Sequence, residues 1–241
     1  MLRTSNKIML VDTETAVLDS NARSVHDIGY VIIDRKADRV EASKRFLITE
    51  AHIDNVETLN NNGFYAGKKD LYDRDKEAHN YTALTTYESA ITEMLTDINK
   101  YNVKVLCAYN LNFDLNALVW TAQQYTEALA KRLANKLNTL KHIDLYRLAC
   151  YSILRTEEYI SYALENELRS HSGKNIGTNA EACYKYIKNL TDYEEEHTAL
   201  KDVYDELEIL KHLVNTLHKK DILDNQVYGV DPQAWKKVVY R

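Results

Sequence analysis

The sequence predicts an α/β fold in which helices flank a mixed five-stranded sheet and the C-terminal half is mostly helical. Apolar runs of strand length recur along the first part of the chain, and the first three are joined by segments too short for a helix. Farther along, apolar residues recur at steps of three and four, which is the spacing of amphipathic helices. These two patterns predict three antiparallel strands followed by strands that helices connect.

The first three strands are expected near residues 7–12, 27–34 and 44–49, and their short connections make them antiparallel. The segment 54–80 that follows is polar and rich in asparagine and charged residues, and we expect it to be an insertion over the functional face of the sheet. An amphipathic helix is predicted next, with apolar residues at Tyr87, Ala90, Ile91, Met94, Leu95 and Ile98.

The fourth strand is predicted at 103–109 and a short fifth strand near Ile143. Because helices connect them to the earlier part of the chain, both should run parallel to the first strand. The chain beyond residue 145 is predicted to be mostly helical. Residues 178–181 have the spacing of a capping box and should begin a short helix that runs through Ile187. A long amphipathic helix is predicted from Leu200 to Leu217.

Length and composition predict a single domain over residues 1–241, with a core at about 7–215, the insertion at 54–80 and a tail at about 225–241. Hydrophobic residues make up 45% of the chain and charged residues 28%, which is the balance of an ordinary globular protein.

The sequence contains no apolar run close to the ~20 residues of a membrane span, and its N-terminus lacks a signal-peptide pattern. We therefore expect a cytoplasmic protein that has no membrane partner. Cys107, Cys150 and Cys183 lie in apolar stretches without the spacing of a metal site, so they are expected to be buried thiols.

The residues that carry chemistry begin with Asp12-Thr13-Glu14, at the end of the first apolar strand. Side chains at positions i and i+2 of a strand leave on the same face, so these two carboxylates would lie side by side and repel each other. No lysine or arginine is close in sequence. A divalent cation between them would relieve the repulsion. An exposed strand end, where water screens both charges, is the alternative.

The second acidic residue of interest is Asp114, in the segment YNLNFD after the predicted fourth strand. Apolar residues recur at helical spacing immediately afterwards, which places Asp114 in a strand-to-helix turn. An acid at a helix N-terminus is also favoured by the helix dipole alone. That simpler role would explain Asp114 without any connection to Asp12 and Glu14.

The third motif is HTALKD, in which His197 precedes Asp202 by five residues. Asp202 lies in the first turn of the predicted long helix. Five residues correspond to about 140° around an ideal helix, so the two side chains could not share one helical face. We therefore predict that His197 belongs to the approach to the helix and can swing over a site that Asp202 lines. Taken alone, a surface histidine is the alternative.

Together, Asp12, Glu14, Asp114, His197 and Asp202 resemble the catalytic set of the DnaQ-like, or DEDDh, family of 3′-to-5′ exonucleases. The three motifs of that family correspond to DTET, NLNFD and HTALKD in this chain, in the same order and within residues 7–215. The resemblance implies a ribonuclease H-like fold, which agrees with the mixed sheet. Segments such as FYAGKKDLY and TNAEACYKYI further resemble a phage-encoded branch, which implies the cytoplasm of a bacterial host.

The resemblance also implies a role for each residue. Asp12, Glu14, Asp114 and Asp202 would hold two divalent cations, and His197 would act as the general base. Hard carboxylate oxygens suit Mg²⁺ or Mn²⁺, and two such ions stabilise both ends of a phosphodiester displacement. Five further residues would contact the substrate: Thr13, Thr15, Leu18, Asn110 and Phe113.

The chain departs from the family pattern at two places. Ala16-Val17 stands where many members have Thr-Gly, so the usual glycine turn beside the scissile nucleotide is not expected. Tyr109 replaces a histidine that often precedes the asparagine of the second motif, and this change leaves the catalytic set intact.

The formal net charge of −5 argues against a protein that coats nucleic acid nonspecifically, but not against a nuclease whose acids are neutralised by cations. Local basic pairs occur at Lys68-Lys69 and Lys131-Arg132, and the chain contains 18 tyrosines. Tyrosines near lysines, as in segment 64–72, could stack on single-stranded bases, with a solvated loop as the alternative.

The sequence thus predicts a metal-dependent 3′-to-5′ exonuclease that acts on single-stranded or frayed ends, with DNA favoured over RNA. One alternative is a ribonuclease for short RNA. Another is a catalytically idle module that binds nucleic acid or a polymerase. A replication polymerase as partner and the oligomeric state are left open by the sequence.

Overall fold

A computed structural model describes residues 7–216 except 20–21, 35–38, 79–81, 171–172 and 174. The tail expected at 225–241 lies outside the described residues. Six strands form one sheet within the described part of the chain: β1 Lys7–Asp19, β2 Ala22–Ile33, β3 Val40–Ile48, β4 Thr82–Thr85, β5 Val103–Ala108 and β6 Lys141–Asp144. Their order across the sheet is β4-β3-β2-β1-β5-β6.

The predicted mixed sheet is confirmed, with six strands rather than five. β1, β2 and β3 are antiparallel neighbours, and β5 and β6 run parallel to β1 as expected. The additional strand is β4, which pairs in parallel with the end of β3 at the edge of the sheet. Its four residues are too few to show the alternation of apolar and polar side chains by which a strand is recognised.

β1 is longer than predicted, and this changes the position of the first acidic motif. Pairing of β1 with β5 ends at Leu10, whereas pairing with β2 continues to Asp19. Asp12 and Glu14 therefore lie within a long hairpin, not at a strand end. They do lie just beyond the point where β1 loses β5 as a neighbour, so helices can approach β1 there.

The structure describes ten helices along the chain: α1 Val56–Asn60, α2 Gly63–Ala66, α3 Lys69–Ala78, α4 Tyr87–Lys100, α5 Leu111–Tyr125, α6 Glu127–Asn138, α7 Leu145–Ser152, α8 Glu157–Glu165, α9 Ala180–Lys188 and α10 Ala199–Thr216. A short π-helical turn, Glu50–Asp54, precedes α1. The prediction of a mostly helical C-terminal half is confirmed.

Helices cover both faces of the sheet because alternate residues of β1 point to opposite sides. Met9 and Val11 pack with α4, α5 and α6 on one side, and Ile8 and Leu10 pack with α7 to α10 on the other. All three cysteines are buried thiols, as predicted. None of the helices in the described ranges is long and apolar enough to cross a membrane.

The segment expected as a polar insertion is mostly helical and forms α1, α2 and α3. Tyr65 and Tyr72 of this segment are buried with Ala16 of β1 and Leu47 of β3. Each exposes 2% of its surface or less, so the prediction that these tyrosines stack on bases is wrong, and the alternative of a solvated loop is wrong as well.

The helices of the C-terminal half begin close to the predicted positions. Asn179, and not Thr178, caps α9, because its side chain accepts a hydrogen bond from the N–H of Ala182 at 3.2 Å. α10 begins at Ala199, so Asp202 lies in its first turn and His197 precedes the helix, as the motif predicted.

Candidate active site

The structure brings the five predicted catalytic residues together from three separate segments of the chain. Asp12 and Glu14 leave β1, Asp114 lies in the first turn of α5, and Asp202 lies in the first turn of α10. The electrostatic neighbours of Asp12 include Asp114, Glu14 and Asp202. Potential ligand atoms of Glu14, His197 and Asp202 all lie within 4.8 Å of one another.

Thr13 links the first two acidic segments. Its backbone N–H and its hydroxyl both donate to Oδ1 of Asp114, at 3.0 and 2.9 Å. Asp114 is 1% exposed and Thr13 is 3% exposed, so these bonds form in the interior. Asp114 is thus tied to the residue between Asp12 and Glu14. The helix dipole alone does not account for this placement.

A buried ion pair fixes the start of α10 over the sheet. Asp27 of β2 accepts the N–H of Ala199 at 3.2 Å. Its carboxylate also receives hydrogen bonds of 2.8 to 3.1 Å from the guanidinium of Arg45, which is 5% exposed. Because Asp27 lies opposite Glu14 in the hairpin, this pair sets the distance between β1 and α10.

Burial and mutual repulsion disfavour ionisation of the carboxylates when no cation is bound. Burial, followed by the charge of Asp114, raises the pKa of Asp12 well above its ordinary value. Burial also raises the pKa of Asp114 to about 8 and, with the charge of Asp27, that of Glu14 to about 7. The pKa of Asp202 rises to about 10 through burial and then the charge of Glu195. A bound cation would reverse these shifts.

The donor set fits a hard divalent cation. Among the described residues, buried carboxylate oxygens without a hydrogen-bond partner occur at Asp12, Asp202 and Glu206, all within this cluster. Such oxygens are costly to bury unless something positive satisfies them. The groups of described residues close enough to hold an ion consist of carboxylates and His197, so the site suits Mg²⁺ or Mn²⁺ better than a sulfur-ligated zinc ion.

His197 occupies the position from which it can reach the carboxylates. Its φ of 51° lies in the left-handed region, which turns the chain just before α10. Its Nδ1 lies 3.6 Å from a carboxylate oxygen of Glu195, and the side chain is 34% exposed. Burial, and then the positive charge of Lys68, lower the pKa of His197. The imidazole is therefore mainly neutral near pH 7, the form that accepts a proton.

Glu206 belongs to the same cluster but was not predicted from the sequence. Its Oε1 accepts a hydrogen bond from the N–H of Tyr109 at 3.0 Å, and Glu206 is 2% exposed. Burial, and then the charge of Asp114, raise its pKa well above the ordinary value. Its position four residues after Asp202 puts both acids on one face of α10. This four-residue spacing is the sequence feature from which Glu206 could have been predicted.

The predicted substrate contacts differ in accessibility. Phe113 is 40% exposed, which excludes the alternative that it is a core residue. Asn110 is exposed and has a left-handed φ of 68°, and its side chain does not cap α5. Thr15 is half-buried, and the side chain of Leu18 lies outside the described residues. Ala16 and Val17 continue β1.

No protein-family model and no curated protein matches this sequence. Its fold is similar to that of a solved structure described as "3′-end specific recognition of histone mRNA stem-loop by 3′-exonuclease". The TM-score is 0.53 and the identity 10%, over 87% of this chain and 64% of that chain. At this identity the likeness establishes the fold alone. The chain therefore has the mixed α/β, ribonuclease H-like fold that was predicted.

Proposed function

We propose that this protein is a metal-dependent 3′-to-5′ exonuclease that acts on single-stranded or frayed ends, with DNA favoured. One observation carries the proposal: four carboxylates and a histidine from three separate segments converge in a fold similar to that of a 3′-exonuclease. Like charges gathered in an interior are unfavourable, so their convergence is explained by cations that the site binds.

Asp12, Glu14, Asp114 and Asp202 would hold two divalent cations, Mg²⁺ or Mn²⁺. Such ions, when bound, stabilise the negative charge that develops on the attacking and leaving oxygens of a phosphodiester. The hydrogen bonds from Thr13 hold Oδ1 of Asp114 in a fixed direction. The second oxygen of Asp12 has no hydrogen-bond partner and is available as a ligand.

His197 would accept the proton from the attacking water. The lowered pKa keeps its imidazole neutral at the pH of the cytoplasm, and the half-buried side chain remains accessible from the carboxylate cluster. The Glu195 carboxylate, 3.6 Å from Nδ1, would orient the ring and stabilise the imidazolium that forms. In this scheme His197 removes the proton from water, and Glu195 stabilises the positive charge that the imidazole then carries.

Phe113 and Asn110 would contact the 3′-terminal nucleotide from the start of α5, next to Asp114. Phe113 is exposed and can stack on a base, and Asn110 presents a polar side chain that does not cap the helix. Leu18 and Thr15 of β1 would contribute further contacts. The backbone next to Thr13 would hold the terminal 3′-OH, because the N–H of Thr13 itself is bonded to Asp114.

RNA is the second candidate substrate, because the similar solved structure is that of a 3′-exonuclease with an mRNA stem-loop. A catalytically idle binding module is disfavoured, since all five catalytic positions carry the required residue types. The resemblance to a phage-encoded branch extends the proposal to a viral nuclease in the cytoplasm of a bacterial host, with a replication polymerase as a candidate partner.

The test is to incubate 5′-labelled single-stranded DNA and RNA of one sequence with Mg²⁺ or Mn²⁺ and to follow the products. We expect a stepwise ladder of shortened strands that disappears with EDTA and returns when either ion is restored. Immediate release of the labelled nucleotide would show the opposite polarity. Full activity after exhaustive chelation, or no cleavage of any 3′ end by a pure sample, would overturn the proposal.

A further inference from the structure

The helices inserted between β3 and β4 bring a lysine to the proposed active site. Lys68 directly precedes α3, and its carbonyl accepts the N–H groups of Leu71 and Tyr72 at 3.0 and 3.1 Å. Lys68 and Tyr72 are thus one helical turn apart and project from the same side. The hydroxyl of buried Tyr72 donates to the carbonyl of His197 at 3.4 Å. Lys68 therefore lies beside the segment that carries His197.

The ammonium group of Lys68 is enclosed, because its Nζ exposes less than 1 Å². The acids whose charges act on it come from β1, α10 and the segment before α10, namely Glu14, Asp202, Glu195 and Glu194. Glu14 and Asp202 are two of the proposed metal ligands. One cation from a distant part of the chain thus lies among residues that would surround the substrate phosphate.

We propose that Lys68 is a catalytic residue whose ammonium group binds the phosphate that is being cleaved. This inference rests on the proposed function. Two divalent cations would balance the four ligand carboxylates but not the nearby Glu195 and Glu206, so the positive charge that Lys68 supplies is still needed beside a phosphate. The negative charge of that phosphate increases toward the transition state, where a fixed cation has its greatest effect. In the absence of metal, the same ammonium offsets the charges of Glu14 and Asp202.

Other contacts hold the insertion in place, so the effect of Lys68 on chemistry can be separated from its effect on folding. Arg45 forms hydrogen bonds with Asp75 of α3 at 2.5 Å and with Asp27 of β2. The rings of Tyr65 and Tyr72 pack on His26, each with a centroid distance of 5.5 Å. These contacts involve residues other than Lys68 and would persist after its replacement.

The experiment compares Lys68→Met and Lys68→Arg with the matched control Lys69→Met. The side chain of Lys69 is 46% exposed and pairs with Asp73, away from the carboxylates. At saturating Mg²⁺, Lys68→Met should lower the single-turnover cleavage rate roughly 10- to 100-fold, the usual effect of one hydrogen bond to a charged group. Lys68→Arg should recover part of the rate, and Lys69→Met should match the wild type.

A binding measurement provides a readout that does not depend on turnover. Calorimetry with deoxyadenosine and deoxyadenosine 5′-monophosphate measures the contribution of the phosphate to affinity. Lys68→Met should reduce that contribution about 10-fold, while its affinity for Mg²⁺ is not weakened. If Lys68→Met fails to fold, Lys68→Arg and Lys68→Gln replace it, and only the charged variant should keep the preference for phosphate.

Three results would overturn the inference. Equal cleavage and equal phosphate preference in the Lys68→Met and Lys69→Met variants would show that Lys68 does not contact the phosphate. Tighter Mg²⁺ binding by Lys68→Met, with an unchanged rate at saturating Mg²⁺, would make Lys68 a counterion of the metal-free site only. A wild-type protein that shows neither cleavage nor phosphate preference would exclude both proposals, whereas phosphate preference without cleavage would exclude the exonuclease function alone.

Discussion

Gly29 and Ala199 are in such close backbone contact that no side chain fits between them. A Cβ atom at position 29 would lie 2.3 Å from the carbonyl carbon of Ala199. Gly29 is the partner of Asp12 across the β1-β2 hairpin, and Ala199 begins the helix that carries Asp202. The approach of these two proposed ligands therefore depends on a glycine in the strand between them.

Gly29→Ala should destabilise the protein and disturb the carboxylate cluster together. The contact is with backbone atoms, which cannot rotate away, so the start of α10 must move. Overpacking of this kind costs about 1 to 3 kcal/mol of unfolding free energy. Urea denaturation and Mn²⁺ calorimetry would measure both effects. Gly177→Ala is the control, because a Cβ there has its nearest neighbour at 3.4 Å. Wild-type stability and Mn²⁺ affinity in Gly29→Ala would contradict this prediction.

The free energy of unfolding should fall as pH rises when no divalent cation is present. Glu14 and Asp114 have pKa values raised from 4.5 and 3.8 to about 7 and about 8. The folded protein then holds protons that the unfolded chain has released. The resulting stability is complete below the unfolded pKa values and is lost as pH rises through the folded ones.

The window from pH 6.5 to about 8 isolates this effect. Burial lowers the pKa of His26 and His52 from 6.5 to about 3, so these residues change stability only below pH 6.5. Mg²⁺ binds the ionised carboxylates, and it should stabilise the protein more at pH 8 than at pH 6.5. Denaturation in EDTA and in Mg²⁺ at both pH values measures the difference. A gain from Mg²⁺ that does not change with pH would count against the carboxylate cluster as its site.

Local patterns in the sequence were sufficient to predict the positions of Asp114 and Asp202 at the starts of their helices. Each lies at the start of a run of apolar residues whose period identifies the helix, and each lies in a first turn as predicted. The end of β1 was not predictable in this way, because it is set by pairing with β2. Gly29 was likewise uninformative in sequence, since its importance comes from the backbone of Ala199.

Lys68 and Glu206 show what the sequence leaves undetermined about the site. An acid in the middle of a helix is usually exposed, and only the packing of α10 on the sheet shows that Glu206 is buried. The position of Lys68 depends on how the inserted helices fold over β1. Both residues belong to the site through long-range packing. The four-residue spacing from Asp202 is the one local signal for Glu206, and Lys68 has no comparable signal in the chain.

Glu206→Gln should stabilise the metal-free protein at pH 8 and weaken its affinity for Mg²⁺. Glutamine keeps an oxygen that can accept the N–H of Tyr109 but removes a charge next to Asp114 and Asp202. Each pKa unit of relieved repulsion corresponds to about 1.4 kcal/mol. Glu206→Leu is the comparison, since it leaves the Tyr109 N–H unsatisfied at a cost of about 1 to 3 kcal/mol. Denaturation in EDTA would rank the variants by their free energy of unfolding. If Glu206→Gln is less stable than the wild type, Glu206 does not repel Asp114 and Asp202 as proposed.

Phe113→Ala should raise KM more than it lowers kcat, with little change in melting temperature. Phe113 is 40% exposed, and stacking on one base contributes about 1 to 3 kcal/mol. Trp120 is the control, because it is 57% exposed on the same side of α5 and about 10 Å farther along the helix. With a dinucleotide substrate, Trp120→Ala should retain the wild-type KM. Equal changes in the two variants would exclude a specific contact of Phe113 with the terminal base.

The roles of metal ligand and general base are separated by Asp12→Asn and His197→Ala. Asp12 feels the charges of Asp114, Glu14 and Asp202 and so lies among the other proposed ligands; its loss should weaken metal binding and abolish turnover together. Loss of His197 removes a proton acceptor, which typically contributes about 10² to 10⁴ in rate. His197→Ala should therefore bind Mn²⁺ and a 3′ end but cleave slowly. Calorimetry beside single-turnover rates would measure both, and equal loss of Mn²⁺ affinity in the two variants would remove His197 from the role of base.

The dependence of the cleavage rate on pH, measured at saturating metal, tests the role of His197 as general base more sharply. The neutral imidazole is the active form of a base, and the pKa of His197 is lowered from 6.5 by burial and by Lys68. The wild-type rate should therefore rise with pH along a limb whose midpoint lies below 6.5, if bound cations leave that pKa in place. In His197→Ala this limb should vanish, because no group that titrates in that range then takes the proton from water. A limb that persists unchanged in the variant would assign the titration to another group and leave His197 without a part in proton transfer.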